Sequence, residues 1–144
     1  MNKVFPILAA ACLSAMASQA QARDTRLLLS IDDAVKQGRS EGIIGDEIAF
    51  RFGKGNRGGY AKTIGSDVAN RKTNALNKSD IEACNWVFLS ALKALQESAR
   101  GVNAKAVVEI VSYYKKREFT SATEYECHVG TLMAGVALKG SYAK

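Results

Sequence analysis

Two stretches of the chain carry the residue types that chemistry uses. The first is "FGKGNRGGYAKT", residues 52–63, with four glycines and three basic side chains. Glycines let backbone amides turn toward a phosphate, and lysine or arginine supplies the countercharge. A nucleoside-triphosphate loop needs G-x-x-x-x-G-K-[ST] with a helix starting at once. Here Asn56 and Ala61 stand where the two glycines belong, and Ile64 to Val68 reads as strand. Gly53, Gly55 and Gly58 match the dinucleotide spacing G-x-G-x-x-G, and a strand precedes them, but no helical pattern follows. The stretch therefore reads as a turn in which the chain reverses between two strands, its glycines taking positive φ. Lys54, Arg57, Tyr60 and Lys62 then form a basic hairpin tip, a candidate for surface contact.

The second set is Cys84, Cys127 and His128, the last being the only histidine. A disulfide between the cysteines would span 43 positions. By the chain-entropy estimate that is worth roughly 3–4 kcal/mol. The competing reading is a metal site built on Cys127 and His128, although zinc normally takes four ligands. A thiol nucleophile at Cys127 with His128 beside it requires a free thiolate, which a bridge removes. Asp32-Asp33 reads as a turn or helix cap rather than an acid–base pair. Tyr113 and Lys115 echo a Y-x-K pair with no dinucleotide fold around them. No enzyme reading and no cofactor follow from these residues.

Which cysteine chemistry holds depends on the compartment. Asn2-Lys3 is a short basic start, Val4 to Ala17 is mostly apolar, and Ala20-Gln21-Ala22 has the small-x-small form of a secretory cleavage site. The apolar run is short for a membrane span of ~20 residues. Cleavage after Ala22 predicts a periplasmic, exported domain of residues 23–144 and no transmembrane segment. Cys12 follows three alanines, with Leu8 one place too far upstream for a lipoprotein signal, and reads as part of the removed leader. An even cysteine count in an oxidising compartment favours the Cys84–Cys127 bridge.

Lys3 is the only charged residue of the leader, so its removal takes the net charge from +6 to +5. Arg51, Lys54, Arg57, Lys62, Arg71, Lys72 and Lys78 make the central third basic. Tyr60 could stack on a base, but the aromatics are not regularly interleaved, and export argues against nucleic acid. The expected partner is an envelope protein or an anionic envelope surface.

The elements that must position these residues follow from periodicity. Ser79-Asp80-Ile81-Glu82 is a capping box. Ile81, Cys84, Val87, Phe88, Ala91, Leu92 and Leu95 then form one helical face, and Gly101 is the expected left-handed stop. Ala106 to Lys115 reads as a strand with Ala106, Val108 and Ile110 on one side and Val107, Glu109 and Val111 on the other. Tyr125 to Leu138 reads as a second long strand, with bulges or a tight bend at Gly130 and Gly135. Before the helix, Leu27–Ile31, Glu47–Phe52 and Ala61–Val68 read as strands, with a short helical turn opened by Asp32 or Asp33. "ANRKTNALNK" reads as a polar connection.

Residues 67–140, through "KTNALNKSD", "VSYYKK" and "YECH", resemble a family of small exported proteobacterial proteins of unknown role. Members are sometimes labelled an excinuclease ATPase subunit. That label implies ATP hydrolysis in DNA repair, for which residues 52–63 lack the phosphate loop. A more distant similarity is to RcsF-like envelope-stress lipoproteins and YbjQ-like domains. There, too, a turn like Arg100-Gly101-Val102-Asn103-Ala104 leads from helix to strand. The resemblance implies a bridge between Cys84 and Cys127, although the chain has no cysteines for the second bridge of those proteins.

Together these readings predict a single α+β domain. It has an antiparallel or mixed sheet of four to five strands, with one main helix, about 79–100, packed on one face. The expected function is a non-enzymatic periplasmic binding or interaction protein in envelope homeostasis or stress sensing. The alternative is a metal-handling or thiol-redox protein using Cys84, Cys127 and His128.

Overall fold

The computed structural model describes residues 23–144, so the expected leader with its cleavage site and Cys12 lies outside the described residues. The chain forms β1 (Thr25–Ser30), α1 (Ile31–Ser40), β2 (Ala49–Phe52), β3 (Thr63–Asn74), α2 (Asp80–Gly101), β4 (Ala106–Ser112), a 3-10 turn (Tyr114–Lys116), β5 (Glu124–Val129) and β6 (Met133–Ala143). This is the expected α+β domain, with a mixed sheet of six strands rather than four to five. No helix among the described residues is long and apolar enough to cross a membrane.

α2 begins as the capping box requires, with Glu82 N donating to Ser79 Oγ at 3.1 Å. Cys84, Val87, Phe88, Ala91, Leu92 and Leu95 are buried, as expected of the apolar face. Ile81 is not: it is 58% exposed, although Ala83 in the same turn is fully buried. Leu89 is buried instead, since α2 packs against α1 as well as the sheet, and Gly38 of α1 lets Leu89 approach. Gly101 stays helical. The left-handed residue is Asn103 (φ 56), after which Ala104 N donates to Ala99 O.

β6 organises the sheet. β3 pairs with it along its whole length, from Thr63 opposite Ala143 to Asn74 opposite Met133. The other edge of β6 is shared. β5 pairs with Ala134 and Gly135, then leaves, and β4 takes the positions from Leu138 to Ala143. β1 extends β5, and β2 extends β4 in parallel. The sheet therefore forks where β4 ends and β5 begins, and Glu126 N donates to the buried Ser112 Oγ across that fork.

Several sequence expectations change at this level. Residues 125–138 are two strands, because Gly130 turns the chain and its amide donates to Met133 O at 2.8 Å. Most of "ANRKTNALNK" is strand, since β3 runs to Asn74 to match β6. The helix after β1 is ten residues long, and its cap is Ser30, whose Oγ accepts from Asp33 N; Asp32 and Asp33 occupy its first turn. β4 ends at Ser112, not Lys115, and its alternation slips at Glu109. That residue has φ 54 and forms a bulge, so Val107 and Ile110 face α2 while Ala106 and Val108 face away.

The face under α2 is the core, and Cys84 and Cys127 are joined there by a disulfide with Cα atoms 5.9 Å apart. Tyr125 stacks on Phe88, ring centroids 4.0 Å apart, and its hydroxyl donates to Asn85 Oδ1. Burial pushes the Tyr125 phenol well above its ordinary value.

Candidate functional site

Residues 53–62 are not a hairpin. β2 runs parallel to β4 while β3 and β4 both run against β6, so β2 and β3 point the same way at opposite edges. The loop must cross β4 and β6, and it does so over the face remote from α2. Half-buried Tyr60 packs there on Ala106, Val108 and Ala143. Gly53, Gly55, Gly58 and Gly59 all have positive φ, as expected of turns. Alternate amides of the loop are already engaged: Lys54 N donates to Thr120 Oγ1, Asn56 N to Gly53 O, Gly58 N to Asn56 Oδ1 and Tyr60 N to Arg57 O. A phosphate cradle needs such amides pointing outward. Arg57 pairs with Glu109 at 3.5 Å, while Lys54 and Lys62 are exposed.

The cysteines and the histidine are also separated. Consecutive strand residues face opposite sides of a sheet, so Cys127 points into the core and His128 out of it. The two sulfurs are bridged and buried, and the structure does not bring His128 to them. Asp32 and Asp33 lie exposed on α1, remote from His128.

His128 instead belongs to a polar cluster on the back face, just beside the fork. Its Nε2 lies 2.8 Å from Glu126 Oε1 and its Nδ1 3.2 Å from Asp24 Oδ1. A carboxylate only accepts, so the imidazole satisfies both contacts when it carries both protons. Glu126 is buried, and its other oxygen accepts from Nε and Nη2 of Arg26 at 2.9 and 2.8 Å. Cross-strand register sets this arrangement, because Arg26 pairs with His128 and alternation puts Glu126 on the same face. The Arg26 guanidinium also sits over the Phe119 ring, 5.1 Å from its centroid.

Tyr114 lies flat on His128, ring centroids 3.8 Å apart and planes 9° from parallel. Gly135 of β6 makes room for it: a methyl group there would come 3.3 Å from Tyr114 Cε2. Burial, and then the negative charges of Asp24 and Glu126, raise the Tyr114 phenol above its ordinary value. The segment that delivers Tyr114 is strained. Lys115 (φ 51) and Lys116 (φ 61) both occupy the left-handed region, which disfavours long side chains.

Depressions open on both sides of the stacked rings. One, about 270 Å³, lies among Arg26, Arg117, Glu118, Phe119 and the two rings. The other, about 230 Å³, is bordered by Arg23, Lys72, Lys115 and Met133. Arg117, Lys72 and Lys115 enter no ion pair among the described residues. An internally hydrogen-bonded cluster with cations on its rim can seat a polar or acidic group.

Of the inner cluster only His128 is a candidate in the sequence, while Lys72 and Lys115 on the rim are marked there only as part of the basic third and of a Y-x-K echo. Strand alternation pairs Glu126 with His128 and separates both from Cys127, a signal present in "ECH". Arg26, Asp24 and Tyr114 join only through pairing and the fork, which no local pattern displays. Comparison with protein-family models, curated proteins and solved structures finds no match to this chain.

Proposed function

We propose that the protein is a non-enzymatic binding module of the periplasm, acting in envelope homeostasis or stress sensing through the back-face cluster. Its partner is an envelope protein whose acidic or polar segment rests against Arg117 and the Tyr114–His128 stack. One observation carries the reading: both ring nitrogens of His128 are held by carboxylates, and Glu126 is held in turn by Arg26. A general base needs a nitrogen turned toward its substrate. A surface locked by hydrogen bonds is instead suited to recognition, where preorganisation limits the entropy lost on binding. The buried disulfide accords with an oxidising compartment.

Photo-crosslinking in intact producing cells tests this, with a benzophenone side chain at exposed Arg117. A discrete adduct is expected there, and none with the probe at Lys62. Glu126→Gln, which loosens Arg26 and His128 together, should reduce the adduct severalfold. Equal adducts from both positions, or an adduct indifferent to Glu126→Gln, would overturn the reading.

A further inference from the structure

Eight large apolar side chains stand exposed among the described residues, and four of them share one end of the molecule. Leu76 lies in the connection from β3 to α2, Ile81 in the first turn of α2, and Leu132 and Met133 at the β5–β6 turn. Main-chain bonds hold these segments together: Ala75 N donates to Leu132 O at 2.9 Å, and Asn74 pairs with Met133. Arg23 joins the same end through its ion pair with Asp80.

Cations accompany this apolar tip. Lys72 and Lys115 border the same depression as Met133, and Lys78 follows Leu76 by two positions. None of these lysines enters an ion pair among the described residues. Asp24 and Glu82 lie near these lysines without pairing with them, and apolar side chains flanked by such unpaired lysines match a lipid surface, whose acyl boundary takes the first and whose anionic headgroups take the second. A second copy of this chain would instead bring lysine against lysine.

The position of the chain's start points the same way. The chain enters the fold at Arg23, at this tip, where Arg23 pairs with Asp80 of α2. Cleavage after Ala22 would add an α-ammonium group there.

The geometry points to an anionic lipid bilayer as the surface that this tip meets, with Leu132 and Met133 entering the headgroup boundary. The tip lies at the opposite end of β6 from residues 53–62, so the lipid contact does not use the glycine-rich loop. That such a membrane is at hand rests on the periplasmic reading above; the docking itself does not.

Flotation of the purified protein with vesicles of phosphatidylethanolamine and phosphatidylglycerol tests the inference, against vesicles of phosphatidylcholine alone. Binding to the anionic vesicles should be at least about tenfold tighter and should weaken as salt rises. Leu132→Ser with Met133→Ser, both at exposed positions, should lose about tenfold. Lys72→Gln and Lys78→Gln should each lose about fivefold. Ile64→Ser with Val68→Ser, exposed apolar positions elsewhere on β3, should leave binding intact. Equal binding to neutral vesicles, or equal loss in the two double variants, would overturn the inference. So would a dimer in light scattering that the Leu132/Met133 variant abolishes. The Arg117 adduct should persist in that variant, so this inference and the proposed function fail separately.

Discussion

At the Ala143 end of β6 the back face of the sheet is covered by residues 53–62; at the Met133 end it lies open around Tyr114 and His128. The covered end is built from sequence that looks functional. Its glycines serve backbone turns, its amides bond within the loop and to Thr120, and Tyr60 fills the space over Ala106, Val108 and Ala143. The open end is built from sequence that looks ordinary, with Asp24 just before β1 and Arg26 within it, Glu126 and His128 on the next strand, and Tyr114 brought in by a strained turn. A glycine-rich composition reports how freely the backbone can turn. Which polar side chains meet is decided by strand register, and that is where the chemistry lies here.

The largest expected effect falls on what ties the two ends to the core. The disulfide joins α2 to β5, the strand that carries Glu126 and His128. Replacing both cysteines, Cys84→Ala with Cys127→Ala, should lower stability by roughly 3–4 kcal/mol in urea unfolding. The loss should be uneven. Hydrogen exchange should rise most in β5 and β1, the arm beyond the fork, and least in β2 and β4 under the loop. A uniform rise would mean that the two ends form one cooperative unit, and the contrast between them would fail.

A smaller effect isolates the open end. Gly135→Ala places a methyl group 3.3 Å from Tyr114 Cε2, so the ring must give by a few tenths of an ångström and its stacking on His128 is disturbed. The expected cost is about 1 kcal/mol. The diagnostic reading is the His128 ring-proton resonances, which the stacked tyrosine shifts and which should move toward ordinary values. The Arg117 adduct should weaken in parallel. Unchanged resonances would mean that the stack can move as a unit and is not fixed by β6.

How much of this was legible in the sequence depends on the range of the interaction. α2 was readable because its cap and apolar face are set within a few residues, and the Cys84–Cys127 pair because few partners were available. Gly101 misled as a stop because Asn103 also tolerates positive φ and lies where the chain turns. The alternation of β4 failed at Glu109, since a bulge exchanges the two faces of a strand without a mark in composition. The loop was rightly read as a turn with positive-φ glycines and wrongly as a hairpin. Whether β2 and β3 pair or run parallel at opposite edges is decided by β4 and β6, which come after α2. The back-face cluster is nonlocal in the same way: Asp24 and His128 are separated by 104 positions.

The smallest expected effect concerns the loop's lysines. Lys54 and Lys62 are exposed, enter no ion pair among the described residues, and take part in the loop only through main-chain atoms. Substituting alanine retains those main-chain atoms, so Lys54→Ala with Lys62→Ala should change stability by no more than about 0.5 kcal/mol. The Arg117 adduct should form as in the unaltered protein. If instead the pair of substitutions abolished it, the partner would be reaching across the back face to the loop. The closed end would then be part of the contact, and the division between a backbone-built end and a side-chain-built end would have to be redrawn around the chain's net positive charge rather than around register.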